Sequence, residues 1–308
     1  MHDFSVDLRI SLVVLALPLA AVAGQTSGGQ ADLQGLWTNS TTTPLERPAT
    51  MADRAVLTDA EVAALDAQAV GRNDRPPRPG DPGTYNEFWW ERGTRLHRTS
   101  LVVDPSDGRI PAMTVDGQAR AAWARGGDSW TNRNLAERCI TRGAPKRPGG
   151  YNNNFLILQT PGYVAILQEM IHEVRLIPLD GRPHIGDDIR LWMGDSRGRW
   201  DGDTLVVETT NFSDQIVFNS YNCCPGAGAN LRLVERFTRV GADTIDHRYT
   251  VEDPATYAVS WTAAIPMTRL EGPIYEYACH EGNYGMENLL RGARVQEEAA
   301  ATPSTGSR

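Results

Sequence analysis

Side chains able to do acid–base chemistry gather around His172. Glu169, Glu173 and Arg175 lie within three residues of it, and Gln168 and Met170 complete the run. An imidazole titrates near neutrality, so His172 is the natural candidate for a general base. On that reading the chain is a hydrolase or lyase. Its proton partner is the phenol of Tyr151 or a carboxylate, Glu173 or Glu276, and Arg175 or Arg182 clamps an anionic group. The same residues also suit a binding site. Gln168, Met170, His172, His247 and Tyr249 would line an interior, and Trp89 and Trp90 would lay flat rings over a ligand. Asn153, within Tyr151-Asn152-Asn153-Asn154, brings amide donors and acceptors to the mouth. Arg182 and His184 of the turn Asp180-Gly181-Arg182-Pro183-His184 reach a carboxylate at the rim.

Two motifs fail on context. Gly194-Asp195-Ser196-Arg197-Gly198 spells a nucleophile elbow, but a strand rather than a helix follows it, and the alternating β/α pattern is missing. Glu169 and His172 share a face only on a helix, and Val164, Ile166 and the Pro161-Gly162 turn favour a strand. His172 and His247, with His184 or His280, have the residue types of a three-histidine metal site. The plainer alternative is a hydrogen-bonded pocket histidine, and no metal or cofactor is assigned.

These side chains need a scaffold, and turn chemistry supplies it. Ser100–Asp104 and Arg109–Met113 flank Pro105-Ser106-Asp107-Gly108. Phe155–Gln159 and Tyr163–Gln168 flank Thr160-Pro161-Gly162, and Arg199–Trp200 and Thr204–Thr209 flank Asp201-Gly202-Asp203. Leu231–Val240 and Thr244–Val251 flank Gly241-Ala242-Asp243. Tight turns force antiparallel pairing. A long meander hides its edges by closing, so the expected fold is mainly β, a calycin- or lipocalin-like barrel. Parity places Val164, Ile166, Gln168, Met170, His172, Val174 and Leu176 inside, and Ile245, His247, Tyr249 and Val251 on another apolar face. Tyr275 to Glu281 is read as a last strand. Glu208, Glu235 or Glu276 inside a barrel would need a partner such as Arg175, Arg236 or Arg248.

Short helices are expected at Thr58–Val70, capped by Thr58 with Glu61, at Ala119–Arg125 and around Asn134–Cys139. Residues 43–140 then decorate the barrel, with Trp37 as a plug and the aromatic run Tyr85 to Arg92 as a lid or an end plug. Met286 to Ala301 reads as a terminal helix or fraying tail; the domain spans 24–295, and 296–308 is read as disordered.

Ile10 to Ala23 is an apolar run ending in Ala21-Val22-Ala23, the pattern of an export signal cleaved near Ala23. No second apolar span follows, so no transmembrane segment is expected in the mature chain, which is placed in the periplasm or outside the cell. The net charge of −8 and the lack of a dense basic stretch exclude a phosphate-tracking nucleic-acid binder. Lys146 is the sole lysine; the other basic side chains are arginines. Four cysteines in an exported chain invite pairing. Cys139 with Cys279 is the expected bridge, worth on the order of 4–5 kcal/mol by chain entropy. Adjacent Cys223 and Cys224 form a vicinal disulfide, stay free or take a soft metal.

Several segments carry a resemblance: Asp32–Trp37, Thr43–Pro48, Tyr85–Gly93, Tyr151–Asn154, Glu169–His172, Asp180–His184, Gly194–Gly198, Gly202–Phe212 and Tyr275–Gly285. On these the chain resembles an uncharacterised family of exported bacterial proteins. The resemblance implies export and one β-rich domain, and brings no activity, substrate or catalytic residue. The leading expectation is an exported barrel that binds a small, partly apolar or aromatic ligand in its interior. A hydrolase or lyase on the same scaffold is the rival, and a filled barrel without a cavity is the structural alternative.

Overall fold

A computed structural model describes residues 29–73, 90–91, 93–123, 129–218 and 223–301. Ten strands make one antiparallel sheet: β1 (Gly35–Thr38), β2 (Val102–Asp104), β3 (Asn154–Gln159), β4 (Tyr163–Gln168), β5 (Val174–Pro178), β6 (Asp195–Asp201), β7 (Thr204–Thr210), β8 (Arg232–Gly241), β9 (Thr244–Glu252) and β10 (Trp261–Arg269). The order is β5-β4-β3-β1-β10-β9-β8-β7-β6, with β2 added to β10. The sheet is thus nearly closed into a barrel. The first strand bridges the two meanders, and the seam falls between β5 and β6, which touch without a ladder. At the seam a Cβ on Gly198 would come within 2.7 Å of both Ile177 and Leu179, so packing against bare backbone replaces the missing ladder.

The hairpins β3/β4, β6/β7 and β8/β9 form where Gly, Pro and Asp mark turns. Three expectations fail, each for a physical reason. Residues 109–113 are not a strand: β2 pairs with β10 instead, and only Met113 makes an isolated bridge, to Tyr257. Tyr275 to Glu281 is irregular; the last strand is β10, whose Pro266 disguises it. That proline is tolerated because β2 pairs β10 at 262–263 and β1 at 268–269, leaving its side of the ladder open between them. The run 164–176 is two strands, since the turn Met170–His172 carries φ of 63° at Ile171 and 43° at His172. The reversal resets parity, so Arg175 and Ile177 are buried while Val174 and Leu176 are exposed.

Two apolar layers fill the interior. One comprises Leu33, Trp37, Phe155, Ile157, Val164, Ile166, Ile177, Leu205, Val207, Phe237, Ile245 and Met267. Trp37 plugs that end as expected: it is fully buried, donates from Nε1 to the Leu33 carbonyl at 2.9 Å, and stacks under Arg269 at 4.6 Å. The other layer joins Leu233, Tyr249, Val251, Trp261 and Ile265 to Leu101, Phe212, Leu231 and Tyr257 from the connecting segments.

The described residues include three α-helices: α1 (Asp59–Asn73), α2 (Val115–Trp123) and α3 (Tyr284–Ala301). The Thr58/Glu61 box caps α1, with Thr58 N donating to Glu61 Oε2 at 2.9 Å and Glu61 N to Thr58 Oγ1 at 3.4 Å. Residues 134–139 form turns rather than a helix. Helix α3 continues to Ala301, beyond the domain end expected at 295. The expected export signal and residues 302–308 lie outside the described residues, as does most of the aromatic run.

Both pairs of cysteines are bridged, Cys139 to Cys279 and Cys223 to Cys224. Only Ala293 of α3 is buried, so Cys279 ties a lightly docked tail to the barrel rather than two parts of the core. Selective opening of Cys139–Cys279 is therefore expected to cost less than about 2 kcal/mol, well under the chain-entropy value. Denaturant melts of a Cys139→Ser/Cys279→Ser variant check this, and hydrogen exchange should rise in 270–301 while the strands stay protected. A loss near the full value would show that the tail folds as one unit with the barrel.

Candidate functional site

A polar layer separates the two apolar ones. Alternation puts Arg175 of β5, Glu235 of β8 and His247 of β9 on the inner face; Leu233 and Phe237 flank Glu235, Ile245 and Tyr249 flank His247, and Ile177 follows Arg175, all buried. Glu235 accepts both ends of the Arg175 fork, from Nη1 in a very short contact and from Nη2 at 3.1 Å. His247 Nε2 lies 3.1 Å from Glu235 Oε1. A carboxylate only accepts, so Nε2 carries the hydrogen. The imidazole stacks on Phe237 with ring centroids 4.3 Å apart and planes nearly parallel, at 5°. Burial by itself would raise the Glu235 carboxyl; the Arg175 charge and the hydrogen bonds from His247 and Arg175 outweigh it and hold the group below the ordinary carboxylate range.

Ala144, Pro145, Lys146, Gln168, Phe155, Ile166 and Met267 complete the wall around this cluster. The space they enclose is about 20 Å³, room for a water molecule and little more. The interior is packed, and the expected ligand chamber is absent among the described residues. Lys146 is 2% exposed, and its Nζ donates to Asn153 Oδ1 at 2.9 Å. Burial, then the charge of Arg142, brings its amine down to about 7, against the opposing pull of Glu91 and Glu169. Gln168 Nε2 donates to the Gly143 carbonyl at 3.3 Å, while its Oε1 is buried with no partner among the described residues.

Room for a ligand lies at the barrel mouth. A cleft of about 310 Å³ is bounded by Trp90, Arg142, Arg147, Pro148, Gly149, Gly150, Tyr151 and Met170. That volume is within the range of small-molecule sites. Asn153, fully buried at the start of β3, fixes its floor. Gly149 N donates to Asn153 Oδ1 at 2.7 Å, and Asn153 Nδ2 donates to the Gly149 carbonyl at 3.0 Å and to Glu91 Oε2 at 2.7 Å. Glu91 N returns a bond to the Gly150 carbonyl at 2.7 Å. The Trp90 ring lies so close to Gly150 that a Cβ there would sit 2.2 Å from its Cζ3. Only glycine lets the indole rest on that backbone. One loop serves both spaces: Lys146 lines the cavity, and Arg142 and Arg147 border the cleft.

The residues singled out by sequence separate into several places. Gln168, Arg175 and His247 meet at the cavity; Tyr249 is fully buried beyond it in the second apolar layer, edge-on to Trp261 at 5.9 Å. Trp90, Tyr151 and Met170 border the cleft, with Asn153 beneath. Arg182 is exposed and grips Asp180, with Nε 2.7 Å from Oδ2, while His184 Nδ1 lies 2.8 Å from Asp195 Oδ2 on the outer surface. His172 is exposed on the β4–β5 turn, which corrects the expectation that the barrel encloses it. Glu276 is exposed in an irregular segment rather than within a strand. Glu173 accepts from Thr141 Oγ1 at 2.5 Å and from Arg142 N at 3.3 Å. Burial raises its pKa against those bonds and the charges of His172 and Arg175. Neither the cavity nor the cleft includes His172 or Glu276, so among the described residues Tyr151 borders the cleft without them. Trp89 lies outside the described residues. Ser196 of the apparent elbow is buried in β6 and bonds Thr209 Oγ1 across the ladder at 2.9 Å. Among the described residues no group of three or more His, Cys, Asp and Glu is placed to hold a metal.

Sequence reasoning missed Glu91, Arg142, Lys146 and Arg147 as site residues. The available signal was the single lysine in an otherwise all-arginine chain. Comparison with family models, curated proteins and solved structures finds no match.

Proposed function

We propose that this chain binds a small anionic ligand with an aromatic or apolar body in the mouth cleft, and that it does so after export. The observation that carries the reading is the lining itself: Arg142 and Arg147 border one cleft with Trp90, Tyr151 and Met170. Guanidinium forks suit a carboxylate or phosphate, and flat rings and a thioether suit its body. The braced Gly149–Gly150 backbone lowers the ordering cost of binding. Two disulfides accord with an oxidising compartment, and the resemblance to exported bacterial proteins points the same way.

Titration with a panel of aromatic carboxylates and phosphate monoesters, read by tryptophan fluorescence and calorimetry, tests this. Saturable binding is expected for at least one member. Arg147→Ala should weaken it roughly tenfold to a hundredfold, the worth of a charge-assisted hydrogen bond. Trp90→Ala should remove most of the fluorescence change. Uncharged analogues that bind equally well, or a panel with no saturable member, would overturn the reading.

A further inference from the structure

We propose that Lys146, at the small interior cavity it borders with Arg175, His247 and Gln168, is a site of reversible carbamylation by carbon dioxide. Three observations converge there. Lys146 is the one lysine in a chain whose other basic side chains are arginines, so this position holds the only side-chain amine. An arginine would serve better as a structural charge with several donors, whereas a lysine can give up its proton. The amine is buried with a single hydrogen bond, to Asn153 Oδ1 at 2.9 Å. The neighbouring space, about 20 Å³, admits only the smallest molecules. Carbon dioxide is small, neutral and electrophilic at carbon. It crosses a packed wall without a polar path, which larger aldehydes or phosphorylated electrophiles do not.

The step balances without an oxidant or reductant. The neutral Nζ lone pair forms a bond to the carbon of carbon dioxide, and one C=O π pair moves onto oxygen. The nitrogen then loses a proton to the His247 ring. Because Nε2 of that ring donates to Glu235, Nδ1 is the nitrogen able to receive the proton. The products are an N-carboxylate and an imidazolium. Before the reaction the layer holds the Arg175/Glu235 pair beside a neutral amine. Afterwards two cations, Arg175 and His247, face two anions, Glu235 and the carbamate, so the buried net charge is unchanged. Gln168 Oε1, buried and without a partner among the described residues, supplies an acceptor for the carbamate N–H. The amine lies near 7, so it is unprotonated in mildly alkaline solution.

The full chain is equilibrated with isotopically labelled bicarbonate at about pH 8, where the free amine prevails. Carbon NMR reads the adduct, and trapping with a trialkyloxonium salt followed by peptide mapping locates it. The expected result is a trapped ester on the peptide containing Lys146. Its NMR signal should be lost as the pH falls below about 7 and in Lys146→Met, while any signal from the terminal amine persists. Mapping on the unsubstituted protein keeps the test valid if the variant folds poorly. Label confined to the terminal amine, or no label on the Lys146 peptide, overturns the proposal.

Discussion

Replacing Glu235 with alanine is expected to destabilise the fold by about 3–5 kcal/mol, the cost of stranding a buried charge. Arg175 is 8% exposed and both of its terminal nitrogens are spent on this carboxylate. Without it a guanidinium remains between two apolar layers, and His247 Nε2 loses its acceptor. The penalty thus comes from the partners left behind more than from the lost attraction. A double change that removes both charges, Arg175→Met with Glu235→Leu, should recover most of the loss, because an apolar pair of similar volume avoids the desolvation of two ions. Denaturant midpoints of the two single variants and the double variant check this as a cycle. A Glu235→Ala loss below about 1 kcal/mol would mean that the layer is wet. Acid has the same effect by another route. The Glu235 pKa is depressed in the fold, so its contribution is complete above the ordinary glutamate pKa and drains away as the pH falls towards the lowered one.

That layer was half legible in the sequence. Alternation along 245–251 assigned His247 and Tyr249 to the interior, and the need for a partner to any buried glutamate put Arg175 among three candidates, although parity along 164–176 set Arg175 on the outer face. The β8/β9 and β3/β4 hairpins were legible because their turns use residues with strong local preferences. His172 was misplaced because the β4–β5 turn contains neither glycine nor proline. Ile171 and His172 adopt positive φ there under tertiary constraint, and one such turn exchanges the two faces of everything after it. Strand β10 was hidden by Pro266, whose tolerance depends on where two other strands stop. The cleft was illegible for a different reason. Glu91 meets the loop that leads into β3 through long-range bonds to Asn153 and Gly150, and the Trp90 ring lies against Gly150; nothing in local periodicity encodes that meeting. Trp90, Tyr151, Met170 and Asn153 were each picked out as site residues, but for an interior that is in fact filled.

Lys146 should give this protein an unusual dependence of stability on pH. Its amine is brought from the ordinary 10.5 to about 7 in the fold, first by burial and then by Arg142. The folded state therefore sheds the proton before the unfolded chain does. Below about 7 both states carry the charge, and the fold bears the full cost of burying it. Between about 7 and 10.5 the unfolded chain binds more protons than the folded one, so stability rises with pH. The contribution from this one group reaches about 1.4 kcal/mol per pH unit, the limit for a single proton. Ordinary carboxylates titrate well below that window. Lys146→Met should be the more stable protein in mildly acidic solution, and its advantage should shrink steadily as the pH rises, because the unsubstituted chain sheds its penalty there. Lys146→Arg cannot shed its charge and should stay destabilised across the range. Denaturant melts of the three proteins at a series of pH values decide the matter, since the other titrations cancel in the differences. Parallel curves for Lys146→Met and the parent would mean that the amine keeps its proton in the fold, and the carbamylation proposed above would lose its nucleophile.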